Sequence, residues 1–414
     1  MTSLCLKDAA SIVPFTGEPV RGDGFSSVEV LEQCSLNVEG DRVASVGRGA
    51  EAEIVFDASG CAVVPGFVDC HTHLPFFGWR ADEDAARLSG VRYQDLHRGE
   101  GGIFRSARML SQSSDDEVLV FCEDLAGAML RRGTTTFEMK SGYGLSVEAE
   151  LRQLRLAARL SERVPQLTTA TCLAAHAVPP GKSQGEWVGQ AATELLPVAV
   201  REGLASACDL YVESIAFALE HAARLAETAA ELGLRMRIHA DQLEDSQAGS
   251  FAARWGFASA DHLNHTSAAA VADLAASDTV AVLLPGATFT LRQAAKPPAR
   301  SLIESGAVVA LGSDLNPGTS PVLSMPFVIT LACRIYGLRP LEALAAATVN
   351  AAFALDLHEE VGSLMPGRRA DAVVLAGPVD EICYRGDQDQ VVAVVCGGEL
   401  VHVRSGAAGR VLRA

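Results

Sequence analysis

Val63-Val64-Pro65-Gly66-Phe67-Val68-Asp69-Cys70-His71-Thr72-His73 is an apolar run that stops at two histidines one residue apart. On a β-strand side chains alternate between faces, so His71 and His73 project to one side, where they can share a metal ion, while Thr72 points away. The β-branched run with its Pro-Gly step reads as a buried strand, which puts the histidine pair at the end of a packed scaffold element.

Working outward, short β-branched runs alternate with longer helical patterns as far as about residue 357. They predict strands at 63–70, 134–139, 167–175, 207–212, 235–238, 259–263, 279–284 and 307–312, the number that a (β/α)8 barrel requires. The helical patterns have readable ends. Ser113-Ser114-Asp115-Asp116-Glu117 opens one with a capping residue and carboxylates at the positive end of the helix dipole, and Arg131-Arg132-Gly133 closes it. Gly203, Gly233 and Gly256 stop others, as glycines past a last turn do. Both ends of the chain read differently. Residues 1–62 are β-type pieces broken by Gly and Asp, and Ala372-Val373-Val374-Leu375 and Val391-Val392-Ala393-Val394-Val395 are strand-like again. The expected architecture is an α/β chain: a (β/α)8 TIM-like barrel over 63–362, and a small β-sandwich domain assembled from 1–62 and 363–414.

Of the 414 residues, 49% are hydrophobic and 21% charged, the profile of a well-packed enzyme rather than a disordered or fibrous chain. A net charge of −17 with no basic stripe excludes nucleic acid as a partner, because phosphate binding needs a basic surface. An anionic small molecule remains compatible with it, provided that a specific arginine receives the charge. The 10 cysteines are scattered, without a C-x-x-C pair, which suits free thiols in a reducing compartment. The N-terminal stretch lacks a basic segment followed by an apolar one, and no uninterrupted apolar run reaches membrane-spanning length. The expectation is a soluble, cytoplasmic protein that acts on a small molecule, with no membrane partner.

In a (β/α)8 barrel the active site lies at the C-terminal ends of the strands, and nearly every predicted strand here ends in a polar group. Strand one ends in His71 and His73, strand two leads into Lys140-Ser141-Gly142-Tyr143, and strand three ends at His176. Strand five gives His239-Ala240-Asp241-Gln242, strand six His262, and strand eight Asp314. Five of the 10 histidines therefore converge on one barrel face, while His97, His221, His265, His358 and His402 fall elsewhere and are assigned surface or core roles. A lone strand-end histidine is usually a satisfied core residue, but five at one mouth point to a site. His71, His73, His239 and Asp314 offer three nitrogens and one carboxylate, a set suited to one Zn2+ per subunit, with Fe2+ or Fe3+ the other candidate.

With these residues in place, the chain resembles the amidohydrolase superfamily of metal-dependent barrels. Within it, the similarity is to the hydrolases that open an imidazolone ring in histidine degradation. The resemblance covers essentially the whole chain. It rests on Pro65 to His73, Glu138-Met139-Lys140-Ser141-Gly142-Tyr143-Gly144, Ala175-His176-Ala177-Val178-Pro179, Ile238-His239-Ala240-Asp241-Gln242, Ser259-Ala260-Asp261-His262 and Ser313-Asp314-Leu315-Asn316-Pro317-Gly318-Thr319. His-x-His marks only the superfamily, whereas the Lys-Ser-Gly-Tyr-Gly and Asp-Leu-Asn-Pro-Gly-Thr stretches are far more specific.

The resemblance implies hydrolysis of the ring C–N bond of 4-imidazolone-5-propanoate to N-formimidoyl-L-glutamate by a metal-activated water, in a homodimer. It also implies roles. Asp314 is a ligand and the proton carrier, and His262 the neighbouring acid/base or oxyanion stabiliser. Gln242 orients the substrate without transferring a proton, at a position where the family carries Glu or Gln. Arg80 clamps the substrate carboxylate, Tyr143 and His176 contact the ring and carboxylate, and Asn316, Gly318 and Thr319 supply backbone-rich contacts. Lys140 is expected to be structural or electrostatic rather than a carbamylated bridge between two metals, because strands three and four do not end in further ligands. Glu138 is expected to be a buried partner of Lys140 or Arg80. Two other readings stay open: a mononuclear deaminase of a heterocyclic amine, and a catalytically silent barrel used for binding.

Overall fold

The computed structural model describes residues 3–91, 95, 101–386 and 388–413. Five strands come first: β1 (Ser3–Ile12), β2 (Leu31–Glu39), β3 (Arg42–Gly47), β4 (Ile54–Asp57) and β5 (Cys61–Pro65). Eight barrel strands follow: β6 (Phe67–Asp69), β7 (Thr134–Lys140), β8 (Leu167–Ala175), β9 (Ala207–Leu210), β10 (Arg235–Ala240), β11 (Ser259–His262), β12 (Val280–Leu283) and β13 (Val309–Leu311). The chain then returns through β14 (Ala372–Ala376), β15 (Val391–Cys396), β16 (Glu399–Val403) and β17 (Val411–Arg413).

β6 to β13 pair in sequence order, all parallel, as an eight-stranded sheet. It closes through the segments just past its two outer strands. Asp314 N donates to His71 O at 2.9 Å and His73 N to Leu315 O at 2.9 Å. Asp69, buried between them, accepts from Ser313 N at 2.8 Å. The closure therefore runs through the same backbone that carries the first histidines and Asp314.

The helix Asp115–Leu130 has the predicted start: Ser114 accepts from Glu117 N, and the Glu117 carboxylate accepts from Ser114 N, a reciprocal cap. Gly233 and Gly256 sit in the left-handed conformation just past the helices Leu219–Leu232 and Ala248–Trp255.

One expected element divides in two. The strand predicted over 63–70 is broken at Gly66. Cys61–Pro65 belongs to the other sheet, antiparallel to β14 and parallel to β1, and only Phe67–Asp69 enters the barrel. A Cβ on Gly66 would lie 2.0 Å from Thr135 Oγ1, so only glycine lets the chain step from one sheet to the next at this point. The alternation that first singled out the histidines survives the break. Val68 and Cys70 pack outward in a cluster with Val280, Val308 and Ala351, while Asp69 and His71 turn inward.

The terminal strands make one nine-stranded sheet, in the order β16-β15-β14-β5-β1-β2-β3, with β4 joining β1 to β17. Its residues alternate between two cores. Ala62, Val64, Val373 and Leu375 join the cluster that includes barrel residues, whereas Cys61, Val63, Ala372 and Val374 face the sheet's own core around Leu6, Leu36 and Phe56. No helix among the described residues is long and apolar enough to cross a membrane.

Gly133, between the helix Asp115–Leu130 and β7, has φ +92°, and a Cβ there would lie 2.8 Å from the side chains of Phe67 and Val373. Gly203 is also left-handed, at φ +66°, but a Cβ there meets nothing within 4 Å. Gly133→Ala is therefore expected to lose about 1–3 kcal/mol more stability than Gly203→Ala in urea unfolding followed by circular dichroism. Equal losses would contradict the packing argument.

Candidate metal centre and active site

The barrel interior at this end is charged rather than aliphatic, because inward positions recur at every second residue. β7 turns Glu138 and Lys140 inward, β9 Asp209, β10 Arg237 and His239, and β11 Asp261; each of these side chains is buried. The lower contacts are Arg237 Nε to Glu138 at 3.1 Å and Thr171 Oγ1 donating to Glu138 at 2.5 Å. One level up, Lys140 Nζ lies 2.8 Å from Asp209, 2.9 Å from Glu138 and 3.8 Å from Asp261. Glu138 thus pairs with Lys140, as expected, and with Arg237; Arg80 pairs instead with Glu83 at 2.9 Å.

Above that layer stand the histidines. His71 Nδ1 is 2.5 Å from Asp261 Oδ2, and His239 Nδ1 is 3.1 Å from Asp209 Oδ2. Contacts this short need a proton between nitrogen and oxygen, so each ring carries its hydrogen on Nδ1 and turns a lone pair on Nε2 upward. Burial, reinforced by Lys140 and the other rings, holds His71 far below the usual histidine range, which keeps it neutral. Asp209 is held below the usual carboxylate range: burial opposes this, but His239 and Lys140 prevail.

His71 Nε2, His239 Nε2 and Asp314 Oδ1 are all buried without a hydrogen-bond partner. Asp314 Oδ1 is 3.2 Å from His73 Nε2 and 3.7 Å from His71 Nε2. The ligating nitrogens of His71, His73 and His239 lie within 4.8 Å of one another. Two atoms bound to one ion at about 2.1 Å in tetrahedral geometry are about 3.4 Å apart, so these residues have the spacing and chemistry of one metal shell. His262 also brings a nitrogen within 4.8 Å of His71 and Asp314. Asp314 and His262 have φ of +55° and +77°, a conformation that costs such residues about 1–3 kcal/mol and that clusters at functional sites.

The narrow cleft over this cluster is lined by His73, Arg80, Ile103, Tyr143, His176, Tyr211, His239, Gln242, His262, Asp314, Asn316 and Thr319. His71 lies beneath it. One wall is a set of ring faces: His73 stacks on His176 at 5.0 Å, and Tyr143 lies 5.5 Å from His176. Such a wall offers aromatic faces to a planar ligand. Arg80, 2% exposed, lines the same cleft. A Cβ on Gly318 would lie 2.2 Å from Arg80 Nη2, so the guanidinium rests directly on the backbone there.

The structure therefore brings together all the residues expected at the site, with one difference in detail. Asn316 Oδ1 accepts from Gly318 N at 2.9 Å and Thr319 N at 2.7 Å, and Asn316 Nδ2 donates to Asp314 O at 2.7 Å. The backbone contacts expected of Gly318 and Thr319 are thus engaged within the loop. Gly318 contributes by having no side chain, which leaves room for the Arg80 guanidinium.

Several residues that build the site were not singled out in the sequence. Asp209 and Asp261 orient two rings. Glu83 holds Arg80 and accepts from Gly102 N at 3.1 Å. Glu150 accepts from Gly142 N and Gly144 N at 2.8 and 2.7 Å, and Gln153 from Tyr143 N at 2.9 Å, which fixes the Tyr143 loop. Tyr211 donates to Gln242 Oε1 at 2.8 Å. Asp261 was visible beside His262, but its partner sits on a distant strand. Among the remaining histidines, His97 lies outside the described residues.

Glu213 accepts from Leu243 N at 2.7 Å, just past Gln242, and burial pushes its carboxyl up to about 7. The folded form binds that proton more tightly than the unfolded chain, whose glutamates titrate near the ordinary 4.5. Stability contributed by this group is thus lost as pH rises from about 4.5 to about 7. Glu213→Gln is expected to gain on the wild type across that interval in thermal melts, and a constant difference would contradict the shift.

Comparison with known proteins matches residues 62–401 to the Amidohydrolase family. An imidazolonepropionase from Symbiobacterium thermophilum is 42% identical over 412 residues, covering 96% of this chain and 97% of that protein. One from Rubrobacter xylanophilus is 42% identical over 413 residues, covering 97% and 99%. Among solved structures, a variant of the atrazine chlorohydrolase from Arthrobacter aurescens TC1, complexed with zinc and atraton, superposes with a TM-score of 0.75. It is 15% identical and the match covers 96% of this chain and 95% of that one, a likeness of fold.

Proposed function

The chain belongs to the amidohydrolase family, and from that membership we infer that it hydrolyses the ring C–N bond of 4-imidazolone-5-propanoate to N-formimidoyl-L-glutamate, a step of histidine degradation. The observation that carries this reading is Arg80: a buried guanidinium in the same cavity as a metal-type cluster and a slot of ring faces calls for a flat substrate that bears a carboxylate.

The residues that would hold the metal are His71, His73, His239 and Asp314. We propose Zn2+, with iron as the alternative; such an ion brings the pKa of water toward neutrality and polarises a carbonyl.

The chain's own groups do the rest. Arg80 receives the propanoate, beside the wall formed by Asn316, Gly318 and Thr319. Tyr143 and His176 flank the ring and exclude water from its face. Gln242, whose Oε1 is engaged by Tyr211, presents its amide hydrogens to the substrate and moves no proton. Asp314 takes the proton that water loses as it adds to the ring carbonyl carbon, and delivers it to the ring nitrogen as the C–N bond breaks. His262, pushed down to about 3 by burial, is a neutral imidazole; its N–H donates to the carbonyl oxygen as charge develops there.

The ultraviolet decay of freshly generated imidazolone propanoate, with metal-loaded and metal-stripped protein side by side, tests the activity. Turnover only in the loaded sample is expected; stoichiometric ammonia from a heterocyclic amine, with imidazolone propanoate untouched, would replace this reading with the deaminase one. Arg80→Ala should raise KM by about 10- to 100-fold with a smaller change in kcat, as loss of a charged hydrogen bond does. An unchanged KM would remove the carboxylate clamp. Asp314→Ala should abolish turnover and weaken metal binding together.

A further inference from the structure

Lys140 is the charged group of the Lys-Ser-Gly-Tyr-Gly stretch, the reaction leaves it without a task, and its surroundings are specific. It is fully buried, and its Nζ sits among three carboxylates, at 2.8 Å from Asp209, 2.9 Å from Glu138 and 3.8 Å from Asp261. Two of those three carboxylates are the ones that hold the Nδ1 atoms of His239 and His71. A carbamate on Lys140 would put a fourth negative group among them, so the surroundings select the free ammonium.

We infer that Lys140 is a positioning residue for the metal centre: one buried ammonium gathers Asp209 and Asp261, and through them fixes the tautomer and aim of His239 and His71. The inference rests on the ligand set proposed above and extends it by one layer. Without the ammonium, the two carboxylates would repel each other across a dry interior and move away from the positions in which they meet the imidazole N–H groups. The rings would then be free to turn, and their Nε2 atoms would no longer be held at the spacing that one ion requires. The backbone strengthens the same tie. Lys140 N donates to Thr72 O at 3.0 Å, and Thr72 Oγ1 donates to Glu138 O at 2.6 Å, so the end of β7 also grips the residue between the two strand-one histidines. Glu138 completes the arrangement from below, where Arg237 and Thr171 meet its other oxygen.

A positioning role differs from a merely structural one in what it moves. Metal-free protein is titrated with Zn2+ against a chromophoric chelator, and with Co2+, whose visible absorption reports the ligand arrangement, in wild type and in Lys140→Met, Asp209→Asn and the double variant. Lys140→Met is expected to weaken Zn2+ binding by about 10- to 100-fold and to alter the Co2+ spectrum. The effects of Lys140→Met and Asp209→Asn are expected to overlap in the double variant rather than multiply, since one acts through the other. Should Lys140→Met not fold, Lys140→Met/Glu138→Gln, which removes the ammonium together with the carboxylate that does not touch a histidine, carries the same expectation.

Variant protein that is less heat-stable yet binds Zn2+ and absorbs as Co2+ protein like the wild type would overturn the role of Lys140 while leaving the ligand set standing. Wild-type protein that takes up no stoichiometric Zn2+ would overturn the ligand set, and this inference with it.

Discussion

Charge buried in a low-dielectric interior must be matched by charge, and that constraint organises the catalytic end of this barrel. Taking one ion out of water costs several kcal/mol, and removing one partner of a buried pair costs about 3–5 kcal/mol. Glu138, Asp209 and Asp261 are each fully buried, and Lys140 and Arg237 are the cations among them. The interaction cannot relax toward solvent. Each carboxylate therefore has one place to be, and so does each imidazole that donates to it. A site that must hold ligand atoms a few ångströms apart gains its precision from this layer.

The second constraint is closure. Hydrogen bonds between the segments past β6 and β13 join the barrel's two outer strands, and those segments carry His71, His73 and Asp314. Asn316 then turns the chain by occupying the N–H groups of Gly318 and Thr319, which lays a bare backbone under Arg80. Fold closure, the histidine–aspartate cluster and the seat of Arg80 thus share one stretch of chain. Arg80 itself donates its backbone N–H to Pro317 O at 2.9 Å, so it is tied to that loop from both sides.

Much of this was legible from local signals. Strand periodicity located all eight barrel strands, and capping residues such as Ser114 located helix starts, because both effects act within a few residues. The split at Gly66 was not legible: Val63 to Cys70 reads as one apolar run, and only the approach of Thr135, on β7, decides where it breaks. The same holds for Asp209, Glu150, Gln153, Glu83 and Tyr211. Each acts on the site through a partner on another element or beyond a loop, and a polar residue in an apolar run carries no local mark of what it will touch.

The sequence by itself determined the chemistry: which side chains could bind a metal, and that Gln242 could not carry a proton. These follow from residue type and from alternation along a strand, which are local properties. Only the tertiary structure decided how those groups are held. Register across the barrel sets His71 against Asp261 and His239 against Asp209, and it places a single ammonium between the two carboxylates. Pairings between strands far apart in sequence arise from closing the barrel, and no stretch of chain encodes them alone.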